Sequence, residues 1–374
     1  PVFTKNDLKR TSVIFGVWVV VATVFSFILG NRFNLGSDTA YQWMQPAEQF
    51  APARVNDLVA ARVRWDSYWY ADIADHGYTY KGAHTLSNIV FFPAYPALIR
   101  LVSFVVGNTF LAGWLTSLVA LFFALAALRA HVRVHHPKID PDEATAFLLI
   151  FPTAVFFDAV YTESLFLLFS ILTFYFALKR RFVPAGAFAL LASLTRVTGV
   201  LLALPLLVEY VTAWKGERRR LSWDVLAVGM PILGLVGFFA YHWNAFGSPT
   251  LFFEVQKTWG RGFALNAEHF LTLTPPATVN LALDAFFALL ILGSAYAVWK
   301  RLRPSYAVYT VLGVLVPILT GTLMSVGRYA AVLFPVFLWV ASWKHRGAKA
   351  AWAFVSILLF ALYLQLYVTN YWAG

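Results

Sequence analysis

The 374-residue sequence contains no cysteine, so it can form neither a disulfide nor a thiolate metal site. Charge is scarce as well: 13% of the residues are Asp, Glu, Lys or Arg, while 60% are hydrophobic. That ratio leaves too little polar surface for a soluble fold. No P-loop, G-x-G-x-x-G turn or N-x-[S/T] sequon is present, which removes the usual signals of a nucleotide cradle or an N-glycan. Acidic residues are the scarcer sign, 18 against 29 Lys and Arg. In a soluble chain a net charge of +11 would suggest nucleic acid. Here basic loops beside a bilayer explain it better, and no nucleic-acid partner is expected.

What the chain has in quantity is apolar sequence in runs of membrane-spanning length, and these predict an all-α polytopic membrane protein with the lipid bilayer as its partner. The longest polar stretch, about residues 31–90, is itself rich in Trp and Tyr, so residues 1–374 are expected to form one transmembrane domain. The first run, Ser12 to Gly30, is too long for a signal-peptide core and lacks a small-residue cleavage site, so it is expected to be a retained span.

Basic clusters give the expected topology. They lie at 5–10, 129–138, 179–181, 215–220, 300–303 and 344–349. If all six are cytoplasmic, each interval between them crosses the membrane an even number of times. The interval from Arg10 to Arg129 contains three apolar segments, 12–30, 91–106 and 109–128. The middle one carries two Pro and Arg100, and is expected to lie along the outer interface as an amphipathic helix, as is roughly 56–76. Paired spans follow at 145–158 and 163–178, 183–196 and 197–213, 223–243 and 278–299, and 305–324 and 329–343, with a last at 350–370. The expected count is about eleven, with a cytoplasmic N-terminus and two long extracytoplasmic loops, 31–108 and 244–277.

Two features carry chemistry. The first is RWDSYWYADIADHGY, Arg64 to Tyr78, continued by FFPAYP. It sets three Asp among five Trp and Tyr rings, too polar for lipid and too aromatic for a solvated loop. Asp66, Trp69 and Tyr70 share a helix face, whereas Asp72 and Asp75 fall on the wet side and His76 precedes Gly77 as a helix end. The second is a set of charges within the apolar runs. The stretch 146–178 is too long for one helix and too short for two full spans, so its middle, with Asp158, Tyr161, Thr162 and Glu163, is expected to dip below the outer surface. Arg196 and Arg328 lie at similar depth, counted from the basic clusters beyond them. Charges there are costly and point to a function. The plain alternative is a structural Glu163–Arg196 ion pair. Arg suits phosphate, carboxylates suit proton removal, and aromatic rings suit sugar faces. The segment Gly247 to Phe263, with Trp259 and Arg261, fits a lid over such a cavity or a plain interfacial helix. The one D-x-D, Asp140-Pro-Asp142, is better read as a helix N-cap than as a metal site.

At these residues the chain resembles the GPI mannosyltransferase II (PIG-V-like) family, within the GT-C superfamily of polyprenyl-phosphate-sugar transferases. The matching stretches are RWDSYWY…IADHGY, FFPAYPALIRL, FPTAVFFDAVYTESLFLLFS, LTRVTGVLLALP, FGSPTLFFEVQKTWGR and SVGRYAAVLFPVF, about residues 62 to 344. The longer insertions of the eukaryotic members are missing, as in a prokaryotic relative. The resemblance implies a GT-C fold with juxtamembrane helices in the first outer loop. It further implies an inverting mannosyltransferase that moves mannose from polyprenyl-phosphate mannose to a glycolipid or glycan acceptor, outside the plasma membrane. Asp66 matches the family's catalytic base. Glu163 would orient acceptor or sugar hydroxyls, while Arg196, Arg328 and Arg64 would hold the donor phosphate. Trp65, Trp69, Tyr70, Asp158, Tyr161, Trp259, Arg261 and Tyr329 would line the substrate. No cofactor or divalent metal is expected. A transporter or flippase of a lipid-linked sugar is the competing reading, but it predicts internal repeats with broken helices in both halves, and no repeat is evident.

Overall fold

The computed structural model describes residues 2–33, 56–82, 85–216, 222–262 and 275–373. Among them every regular element is helical. Helix α1, Lys5–Arg32, starts at a capping box in which Thr4 and Asp7 satisfy each other's backbone amides. Its middle is a ladder of Val side chains left bare, Val17 and Val20 each more than 60% exposed. Only hydrocarbon covers such a face without cost. Five more helical stretches are long and apolar enough to cross a membrane: Thr109–His135 (α5), Val197–Gly216, Trp223–Phe246, Thr278–Arg301 and Arg346–Val368 (α16). Val197–Gly216 combines a 3₁₀ turn with α9, Ala203–Gly216, and Trp223–Phe246 combines one with α10, Met230–Phe246. Thr278–Arg301 is the body of α12, Pro275–Arg301.

The described residues thus hold six full-length candidate spans, or seven if one bent pair is counted as a span, against the eleven expected. The difference is physical. Helix α6, Pro141–Leu149, stops where Pro152 opens a 3₁₀ turn, Pro152–Asp158. Helix α7, Glu163–Leu178, then leaves at 100° to that turn. The expected span 145–158 is therefore a broken segment whose tip carries Asp158 to Glu163. The expected span 329–343 is broken in the same manner into α14, Val326–Ala331, and α15, Phe334–Ala341, with Pro335 at the joint. Helices α8, Phe182–Thr195, and α13, Pro304–Leu319, are continuous but shorter than a full span.

Three short helices gather beside the breaks. They are α2, Asp57–Ala60; α3, Asp66–His76; and α4, Ala94–Val106. At 13 residues α4 is about 20 Å long, too short to cross. Its Tyr95 hydroxyl donates to the Gly113 carbonyl of α5 at 2.9 Å, while Phe104 and Val105 project outward, both more than 75% exposed. Helix α11, Leu251–Thr258, closes the same end. Asp140 caps α6, accepting from the Asp142 amide at 2.8 Å ahead of Pro141, and Asp142 pairs with Arg129. The D-x-D is thus used in capping and ion pairing.

Lys81 and Lys257 are exposed at the α3–α11 end and Lys344 is exposed at the other. Single cysteines at these positions of this cysteine-free chain are expected to react with an impermeant maleimide from one side for Lys81→Cys and Lys257→Cys, and from the opposite side for Lys344→Cys. Labelling of all three from one side would overturn the arrangement.

Candidate active site

Two short helices with strained starts supply the central charges. Trp65 takes φ 41° immediately before Asp66, the first residue of α3, and Ser325 takes φ 70° at the start of α14, which carries Arg328. Positive φ is unfavourable for an aromatic residue, and such strain tends to collect at functional sites. The Tyr161 hydroxyl fixes the first turn: it donates to the Arg64 carbonyl at 3.1 Å and accepts from the Asp66 amide at 3.3 Å. The start of α14 is held from both sides of Gly327. Its amide donates to Asp284 of α12 at 3.2 Å, and its carbonyl accepts from Thr153 at 2.7 Å. A Cβ at Gly327 would lie 2.8 Å from the Phe287 ring, so only glycine permits this approach.

These starts bring four charges into one cluster. Arg328 donates to Asp66 from Nη1 at 3.0 Å, and its Nε lies 2.8 Å from Glu163 Oε1, close enough for an ion pair though not aligned as a hydrogen bond. Arg196, in the extended residue between α8 and the next turn, donates to the same Oε1 at 2.5 Å. The cluster is neutral in sum, two guanidinium groups against two carboxylates. Glu163 is fully buried and lies between the two arginines. Aromatic faces complete the support: Arg328 stands over Tyr161 at 5.0 Å and Arg196 over Tyr329 at 4.8 Å. Arg261, just after α11, also approaches Tyr329, at 5.9 Å.

Asp66, Arg196, Arg261 and Arg328 border one cavity of about 130 Å³. Tyr70, Gln256, Trp259 and Tyr329 face it as well. Burial, reinforced by the Asp66 and Glu163 charges, pushes the Tyr70 phenol up, so it presents a neutral hydroxyl. A second cavity of about 290 Å³ shares Gln256, Arg261 and Tyr329 with the first and is walled by Phe252, Phe253 and Leu319. The composite has a polar chamber with one accessible carboxylate and three guanidinium groups, and an apolar extension. It is suited to a group that is part phosphate and part hydrocarbon.

Several expected site residues sit elsewhere. The Arg64 guanidinium donates to the carbonyls of Ala60, Val63, Tyr367 and Val368, stapling the end of α16 to α2, so it does not reach the cavity as a phosphate ligand. Trp65 packs edge-on against Tyr367 and Trp372. Trp69 stacks on Phe91 and meets Trp259 edge-on, so it backs the wall instead of lining it. Tyr161 supports Asp66 and Arg328 from beneath. Asp158 pairs with Arg62 at 3.1 Å and accepts from the Trp114 indole at 2.8 Å, away from the cavity. Glu163 orders the arginines and does not line the chamber. Asp158→Asn should therefore lower thermal stability by about 3–5 kcal/mol, the scale for breaking a buried pair, with turnover per folded molecule unchanged. A turnover loss exceeding the loss of folded protein would return Asp158 to the site.

Other residues escape the sequence reading. Asp284 is a lone carboxylate inside the apolar α12, and that isolation was a usable signal. Gln256 and Ser325 give no such signal, since their role comes from tertiary placement. Of the other Asp candidates, Asp72 accepts from Asn88 at 2.8 Å and contacts His76 at 3.1 Å, and Asp75 accepts from Thr109 at 2.6 Å. Asp66 is the carboxylate of that patch that borders the cavity.

Comparison with known proteins places the chain in a family. The family model described as Mannosyltransferase (PIG-V) matches residues 11–210, just over half of the chain and including Asp66, Glu163 and Arg196. GPI mannosyltransferase 2 of Schizosaccharomyces pombe is 26% identical over 194 residues, which cover 47% of this chain and 41% of that protein. The chain thus spans less than half of the length of this relative. GPI mannosyltransferase 2 of Yarrowia lipolytica is 23% identical over 276 residues, 69% of this chain and 72% of that one. Among solved structures, ArnT from Cupriavidus metallidurans bound to undecaprenyl phosphate superposes with a TM-score of 0.49 at 15% identity, over 96% of this chain and 76% of that one. The Archaeoglobus fulgidus oligosaccharyltransferase in its apo form gives 0.46 at 14% identity, over 96% and 56%. By the extent of the family match, this multi-pass membrane protein belongs to the PIG-V mannosyltransferase family.

Proposed function

We propose that the chain is a GT-C transferase that moves mannose, with inversion, from a polyprenyl-phosphate donor to a hydroxyl of a glycolipid or glycan on the extracytoplasmic side of the plasma membrane. The observation that carries this reading is the shared cavity, where Asp66 and three arginines meet beside an apolar extension. Asp66 takes the proton from the acceptor hydroxyl, whose oxygen attacks the anomeric carbon as the bond from that carbon to the phosphate oxygen breaks. The departing polyprenyl phosphate gains negative charge, which Arg196, Arg261 and Arg328 are placed to meet. Arg261 adds net positive charge to a cluster that is otherwise neutral, and the scheme assigns no step to a metal. Tyr70, Trp259 and Tyr329 give the sugar hydroxyl and ring contacts, and the Phe252–Leu319 extension takes the first prenyl units.

Purified protein in detergent, given polyprenyl-phosphate [¹⁴C]mannose and a mixed glycolipid extract, is expected to transfer label with release of polyprenyl phosphate. Nucleotide-linked mannose should not substitute for this donor. If GDP-mannose serves equally well, the donor assignment is wrong.

A further inference from the structure

A second site lies at the other end of the molecule. Between the end of α12, the end of α15 and the start of α16 is a cavity of about 700 Å³ bordered by Arg301, Lys344, His345, Trp339 and Trp343. Arg301 is 17 residues beyond Asp284, about 25 Å along α12, so this cavity faces the opposite side of the membrane from the Asp66 cluster. Two nearby cations are paired: Arg303 with Glu209 and Lys349 with Glu143. Arg301 and Lys344 pair with no carboxylate among the described residues. His345 accepts the Ala348 amide at Nδ1, 3.1 Å away, which makes Nε2 its N–H donor and turns the ring at the positive end of a 23-residue helix. The Trp339 indole N–H has no acceptor among the described residues.

The cavity continues into hydrocarbon. Trp343 and Ala348 also line a groove of about 390 Å³ between α12 and α16, walled by Phe286, Leu290, Val355 and Leu359. Leu290 is eleven residues before Arg301 and Leu359 eleven beyond Ala348, so each lies about 16 Å deep. That matches one leaflet of a core about 30 Å thick. A cationic, tryptophan-rimmed chamber at the interface, opening into an apolar groove one leaflet deep, complements the shape and charge of a single lipid with an anionic head.

We propose that this site holds an anionic phospholipid, its phosphate between Arg301, Lys344 and His345 and one acyl chain along the α12–α16 groove. Phosphate recognition is common to a lipid head and a free anion. The groove favours the lipid, because a free phosphate would make no use of it.

The test is native mass spectrometry of the full chain, purified with an equimolar mixture of phosphatidylglycerol and phosphatidylcholine. The wild-type chain is expected to retain phosphatidylglycerol about thirtyfold over phosphatidylcholine, the scale for two cations at a membrane surface. Arg301→Gln with Lys344→Gln should erase the preference, while the size-exclusion profile reports intact folding. Val355→Trp, which fills the groove and leaves every charge in place, should lower retention of both lipids. Excess inorganic phosphate should leave lipid retention unchanged. Equal retention by the charge variant, or displacement of the lipid by inorganic phosphate, would overturn the proposal.

Discussion

Asp66→Asn is expected to cut mannose transfer by about 10²–10⁴-fold, the range contributed by a positioned general base, while donor binding and folding survive. The substitution preserves shape while removing the basic oxygen and its negative charge. The amide oxygen of the new side chain can still accept from Arg328 Nη1, which now bonds Asp66 at 3.0 Å. Arg328 also keeps its contact with Glu163, but the cluster is left with one excess positive charge, so some stability is lost and transfer is compared per folded molecule. The loss should therefore appear in kcat, with little change in the donor concentration at half-saturation. Asp72→Asn and Asp75→Asn are the internal controls. Their carboxylates are occupied by Asn88 and Thr109, and both variants should keep transfer within a few-fold of wild type. If Asp66→Asn transfers at the wild-type rate, or if Asp72→Asn proves the more damaging, the assignment of the base is wrong.

How much of this was legible in the sequence follows from the range of the forces involved. The first and last spans, α1 and α16, are local consequences of apolar length, and composition finds them. The break at Asp158 to Glu163 was also legible, because 33 residues fit neither one span nor two. The breaks inside two expected spans were not. Pro152 and Pro335 each turn one expected span into two short pieces, and hydropathy reads straight through them. At the site, depth alone brought out Glu163, Arg196 and Arg328, since charge inside hydrocarbon needs a reason. Depth could not say which way a side chain turns. Arg64 and Asp66 are two residues apart and equally conspicuous, yet one is taken up by four carbonyls and the other borders the cavity. Asp158 and Glu163 likewise differ only in which arginine the fold brings to them, Arg62 for one and Arg196 with Arg328 for the other. Pairings at separations of 96 and 165 residues are tertiary facts, invisible to any local pattern.

The second large effect concerns Arg328 and separates its two roles. Arg328→Gln removes one cation from a buried cluster whose other members are Arg196, Glu163 and Asp66. The cluster is left with one excess negative charge, which should cost about 3–5 kcal/mol of stability and lower the yield of folded protein. In the proposed mechanism it also takes a guanidinium from the leaving phosphate, which should slow transfer by about 10²–10³-fold. Activity of this variant alone cannot distinguish the two causes. Adding Glu163→Gln does. The double variant pairs Arg196 with Asp66 in net charge, and Gln at both positions can still hydrogen-bond, so most of the lost stability should return. Glu163 does not line the cavity, so its replacement gives nothing back to the phosphate. The expected result is a protein that unfolds at nearly the wild-type temperature yet transfers mannose as slowly as Arg328→Gln. Recovery of transfer along with stability would mean that Arg328 only holds Asp66 and Glu163 in place, and the phosphate would then have to be met by Arg196 and Arg261 alone.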